Sequence, residues 1–137
     1  LEKTVRFDKL TTKFQQAISD AQSIALGADN TAIEPQHLLL ALLNQDDGGT
    51  ASLLARAGVQ LNQLKTGLNA AIANLPKSND ASGEVAISRD LNNLLHVTDK
   101  LSQKRGDAYI ASEMFLLALA DDKGEAAKLL KQNGLTK

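Results

Sequence analysis

The 137-residue sequence matches itself when displaced by 77 positions. Phe14, Ile18, Ala21 and Ile24 then fall on Leu91, Leu95, Thr98 and Leu101, Asn30 falls on Asp107, and Ile33 falls on Ile110. The tract Leu39-Leu40-Ala41-Leu42 meets Leu116-Leu117-Ala118-Leu119 residue for residue. One deletion in an acidic Gly loop changes the displacement to 76, which sets Leu53-Leu54 and Gly58 on Leu129-Leu130 and Gly134. A period this long, present twice, does not suit a solenoid of short repeats, which needs three or more to bury its faces. It predicts two copies of one unit, related by a pseudo-two-fold axis and closing over a shared core.

The unit is helical. Leu10, Phe14, Ile18, Ala21 and Ile24 recur at helical spacing and form one apolar stripe. Thr11 or Thr12 can cap its start, and Gly27 is placed to end it in a left-handed conformation. Pro35 suits the first turn of a second helix, whose Leu38–Leu43 run is apolar nearly all round and is therefore expected inside. Asp46-Asp47-Gly48-Gly49 breaks that helix. A short third helix is expected at 51–57, between Thr50 as cap and Gly58 as stop. A fourth carries Leu61, Leu64, Leu68, Ile72 and Leu75 and ends before Pro76. The polar tract 77–84 reads as a connection. The predicted class is all-α: a pseudo-two-fold pair of four-helix repeats in one domain over 6–137. Repeat one covers about 10–75, the linker 76–87 and repeat two about 88–137. Leu61 corresponds to Lys137, so seven helices fit and the last of the eight is expected to be cut short. Residues 1–5 are set outside the fold.

Composition narrows the function. Lys and Arg total 15 against 16 Asp and Glu, scattered rather than clustered, which argues against a phosphate-tracking nucleic-acid surface. With no Trp, one Tyr and three Phe there is no platform for stacking bases. The absence of Cys excludes disulfides, thiolate catalysis and thiolate zinc sites, and fits a cytoplasmic setting. No apolar run approaches the roughly 20 residues that span a bilayer, so no membrane partner is expected.

A search for chemistry returns little. His37 and His96 are too few and too far apart for a metal site, and His37, at the start of an apolar helix, reads as structural. No phosphate-binding Gly-Lys loop and no Gly-x-Ser-x-Gly elbow occurs. The acidic pairs Asp46-Asp47 and Asp121-Asp122 lack the spacing of a calcium loop. The expectation is a non-catalytic domain, without metal or cofactor.

The repeat itself offers a sharper lead. Where the first copy has Asp20, Ala32 and His37, the second has Val97, Tyr109 and Met114. Copies that share a core keep matching apolar positions, so unshared ones point to a surface difference. A groove with an apolar floor and an acidic rim, supplied by Asp107 and Glu113, would suit an extended client chain, and a flexible Met would adapt to varied side chains. The alternative is asymmetric packing of the core.

Several tracts resemble a known family: Leu10-Thr11-Thr12-Lys13-Phe14, Ile33-Glu34-Pro35-Gln36-His37-Leu38-Leu39, Gln103-Lys104-Arg105-Gly106-Asp107 and Ile110-Ala111-Ser112-Glu113. They are similar to the duplicated N-terminal domain of the Clp AAA+ unfoldases, in its ClpB-type disaggregase branch. The resemblance implies a substrate-docking domain for unfolded or aggregated polypeptide, tethered to two ATPase modules of a homo-hexamer that cooperates with a DnaK-type chaperone. It assigns ATP and magnesium to those modules alone, and the isolated domain is expected to be a monomer. It places Thr11, Asp107 and Glu113 at polar contacts with substrate and Leu95, Val97 and Met114 in an apolar groove. Branches that read phosphorylated arginine carry an acidic residue in each copy. Gln36 stands opposite Glu113 here, which speaks against that ligand. Docking of a dedicated adaptor protein, as in other Clp branches, is the rival function.

Overall fold

The two long helices begin alike. The Thr11 hydroxyl accepts from the Phe14 N–H at 3.2 Å and opens α1 (Thr12–Gly27), and the Ser88 hydroxyl accepts from the Leu91 N–H at 3.1 Å and opens α5 (Arg89–Arg105). The caps lie 77 residues apart, so the repeat extends to single hydrogen bonds. The computed structural model describes residues 7–45, 49–75, 77 and 86–134. Among them are seven helices, the others being α2 (Pro35–Leu43), α3 (Gly49–Arg56), α4 (Leu61–Ala73), α6 (Ser112–Ala120) and α7 (Glu125–Gln132).

Two short strands, unexpected from the sequence, knit the copies together. β1 (Ala32–Ile33) pairs in parallel with β2 (Ala86–Ile87), with Ile33 opposite Ile87. Leu10 makes a parallel bridge to Ile110. Displacement by 77 turns one pairing into the other, since Leu10 becomes Ile87 and Ile33 becomes Ile110. Their hydrogen bonds correspond as well: Thr11 N–H to Ile110 O and Ser88 N–H to Ile33 O, both 3.0 Å. Each copy thus supplies a strand to its sister, which makes the pair one folding unit. Two residues per strand leave too little alternation for a pattern to show.

The core is shared as well. Phe14 meets Phe115 across the copies, with ring centroids 6.0 Å apart and tilted by 49°, within the range where aromatic pairs attract. α2 is buried along all nine residues, because α1, α3, α4, α5 and α7 all pack against it. The buried stripe of α1 is Phe14, Ala17, Ala21 and Ala25, with Ile18 and Ile24 half-buried, a rotation toward small residues that the sequence pattern did not show. Displaced by 77, that stripe becomes Leu91, Leu94, Thr98 and Ser102, all buried. Thr98 and Ser102 keep their hydroxyls satisfied on the carbonyls of Leu94 and Tyr109. At the end of α1 the left-handed residue is Asp29, at φ 57°, rather than Gly27. Residues 1–5, the Asp46-Asp47 pair and most of the expected linker lie outside the described residues.

Candidate functional site

The copies differ at the positions that the sequence comparison singled out. In the first, His37 is fully buried. Its Nδ1 accepts from the Glu34 N–H at 2.8 Å, and its Nε2 lies 2.7 Å from Asn30 Oδ1, so the ring is the neutral Nε2–H tautomer. Burial lowers its pKa to about 4. The second copy replaces this closed pair by Met114 and Asp107. Gly106 at φ 77° ends α5 and turns the chain. Arg105 then stands with Nη1 4.0 Å from Met114 Sδ and Nε 3.7 Å from Asp107 Oδ2. The guanidinium is largely exposed and weakly paired, so this contact contributes little to stability.

Two open depressions adjoin there. One, of about 540 Å³, lies between the starts of α1, α3 and α6 and is lined by Thr11, Lys13, Arg56 and Glu113 among others. The second, of about 330 Å³, has Leu54, Met114, Leu116 and Leu130 below and Leu53, Leu117, Arg105 and Glu113 around it. Leu53 and Glu113 belong to both. The second depression is the two-fold image of the seat of α4. That helix packs on α2, α3 and α7, and the axis carries those onto α6, α7 and α3, the helices that line the depression. It is therefore the place that the expected eighth helix, the image of α4, would occupy.

The residues singled out in the sequence divide accordingly. Val97 and Tyr109 are exposed, by 44% and 61%. Val97 shares a helical stripe with Leu101 and Arg105, which leads toward Met114. Met114 is 3% exposed and forms floor rather than rim. Leu95 is 1% exposed and belongs to the core; its position two residues before Val97 points it to the opposite side of α5, so it cannot line a surface groove. Thr11 and Glu113 meet in the larger depression, while Asp107 faces Arg105. The rim is mixed in charge, where an acidic one was expected. Arg105 was missed, and Leu53 and Leu117 line the place whose two-fold image α4 fills. Leu117 is exposed although its twin Leu40 is buried, and Leu53 although its twin Leu129 is nearly so. A comparison of unlike positions passes over identical ones.

Known proteins agree with this architecture. Residues 9–133 match the Clp repeat (R) N-terminal domain. The chain is 47% identical to Chaperone protein ClpB of Pseudomonas putida over 133 residues, which is 97% of this chain and 16% of that protein. It thus spans about a sixth of that relative's length. The Hsp104 N-terminal domain of Candida albicans superposes with a TM-score of 0.81 at 23% identity, covering 93% of this chain and 83% of that one. The N-domain of ClpV in complex with a VipB peptide superposes with a TM-score of 0.75 at 22% identity, covering 99% and 86%. No helix among the described residues is long and apolar enough to cross a membrane. The chain belongs to the Clp repeat N-terminal domain family, with ClpB chaperones among its relatives.

Proposed function

We propose that the chain is a non-catalytic docking domain for unfolded or aggregated polypeptide in a ClpB-type disaggregase. The observation that carries this reading is the exposure of Val97 and Tyr109 on the second copy, at positions held by Asp20 and Ala32 in the first. Exposed apolar side chains, on the copy that also carries Asp107 and Glu113, would offer a client a greasy contact with polar groups on the same copy. Leu95 is not part of this face, and Met114 lies in the floor of the neighbouring depression. An adaptable, shallow surface must order a flexible ligand, so affinity is micromolar or weaker. The ATPase modules, the homo-hexamer and the DnaK-type partner belong to the same proposal, as does work in the cytoplasm.

Val97→Asp tests it. The site is exposed, so melting should stay within about 0.5 kcal/mol of the parent, while amide shifts caused by a permanently unfolded polypeptide should vanish around Tyr109 and Glu113. Unaltered binding by the folded variant would dismiss this face.

A further inference from the structure

Asn133 and Gly134 form the only Asn-Gly pair in the sequence. The nitrogen of a glycine is unhindered, because no side chain stands beside it. It can attack the amide carbon of a preceding asparagine. A bond forms between the Gly134 nitrogen and Asn133 Cγ, the Gly134 N–H gives up its proton, and the side-chain nitrogen leaves as ammonia. The cyclic imide then takes up water and opens at either carbonyl, to aspartate or to isoaspartate. Asparagine and water become acid and ammonia, so the step needs no oxidant, metal or further reactant.

The fold holds every atom of that step away from reaction. Asn133 ends α7 at φ −100° and ψ 15°, which keeps the Gly134 nitrogen out of the plane in which the ring would close. Asn133 Nδ2 donates to Leu129 O at 2.8 Å, so the amide lies back along the helix. The Gly134 N–H donates to Lys131 O at 3.2 Å. The same two residues join the copies. Asn133 O accepts from the Gln60 N–H at 2.8 Å, and a Cβ on Gly134 would stand 2.6 Å from Gly58 O. The glycine that permits this close approach is therefore the one that makes its neighbour reactive. Its equivalent, Gly58, follows Ala57, so only the second copy carries the hazard.

We infer that Asn133 is a modification site, converted through the imide to aspartate and isoaspartate from a local opening in which the end of α7 lifts off the α3–α4 corner. Local openings of this kind cost less than complete unfolding. Isoaspartate adds a methylene to the backbone, which carries Asn133 O away from Gln60 and Gly134 away from Gly58. The reacted chain cannot close the corner as before, so the lesion loosens the joint between the copies. The inference does not depend on the docking face of Val97 and Tyr109.

The test is ageing of the intact chain at mildly alkaline pH, in buffer and in concentrated urea. Product is followed by peptide mass and by methyl transfer from an isoaspartyl methyltransferase. The rate at Asn133 in buffer should be about tenfold or more below that in urea. Gly58→Ala, strained at φ 92°, should raise the rate in buffer about threefold and leave the rate in urea unchanged. Gln60→Pro removes the N–H that Asn133 O accepts, at φ −82° where proline is tolerated, and should act in the same direction. It serves if Gly58→Ala does not fold. Ile33→Val, a mild core truncation in β1, should leave the rate in buffer unchanged. The reacted chain, separated by its added negative charge, should melt below the fresh one. Equal rates in buffer and urea would overturn the inference, as would faster reaction at another asparagine. Equal acceleration by Ile33→Val would overturn it too, because reaction would then require complete unfolding. So would corner variants that fold and react no faster than the parent.

Discussion

His37 shows how one side chain can make two similar copies behave differently. Its neutral ring accepts from the Glu34 N–H and donates to Asn30, and burial holds its pKa near 4, below the ordinary 6.5. Above pH 6.5 neither folded nor unfolded chain protonates this residue, so its contribution is fully present. As pH falls from 6.5 toward 4 the unfolded chain takes the proton first and stability drops, by at most about 3 kcal/mol. Urea unfolding at pH 7 and pH 4.5 measures this. His37→Met, which copies the residue of the sister position, should flatten the pH dependence. It should also cost about 1–3 kcal/mol at pH 7 by removing a partner from Asn30 and from the Glu34 N–H. An undiminished slope in that variant would assign the acid sensitivity to other groups. The same residue explains what the sequence showed and what it hid. A His in one copy and a Met in the other marked a difference between the copies, but not that both would be buried, with Met114 beside Arg105.

At the scale of elements, the helices and their order were legible because the leucine runs and the spacing of Leu64, Leu68 and Ile72 leave one way to bury them. The exact face of α1 was not, since Ala17 and Ala25 are as buried as any core residue but carry little pattern. Burial of Leu95 was hidden for a related reason: α5 has apolar residues at 94, 95 and 97, and only packing decides which of them faces out. The caps bear directly on function, because Thr11 has two tasks, capping α1 and lining the larger depression. Thr11→Ala and Ser88→Ala should each cost about 1 kcal/mol in thermal unfolding. Thr11→Ser should restore the cap; if it restores stability but not client binding, the Thr11 methyl group contributes to the contact. Equal stability of Thr11→Ala and the parent would show that the cap bond at 3.2 Å carries no weight.

The whole molecule is governed by its axis, which joins the copies at their strands, at the Phe14–Phe115 contact and at the corner where α3 turns into α4. There Gly58 and Gly134, equivalent by a displacement of 76, face each other in left-handed conformations at φ 92° and 113°. The Gln60 N–H also reaches Asn133 O at 2.8 Å. The pair is not equivalent in the space around it. A Cβ on Gly134 would stand 2.6 Å from the Gly58 carbonyl oxygen, whereas a Cβ on Gly58 would meet nothing nearer than Gly134 O at 3.9 Å. Both substitutions to Ala strain a left-handed residue, at about 1–2 kcal/mol. Gly134→Ala must also push two backbones apart, so it should cost more, about 2–4 kcal/mol, and Gly58→Ala about 1–2. Denaturant unfolding with an unchanged slope would measure the difference. Equal losses would mean that the corner and the end of α7 do not stay in contact in solution, and the two copies would then be held together by their strands, their aromatic pair and the packing of α2 and α4 on α5 and α7.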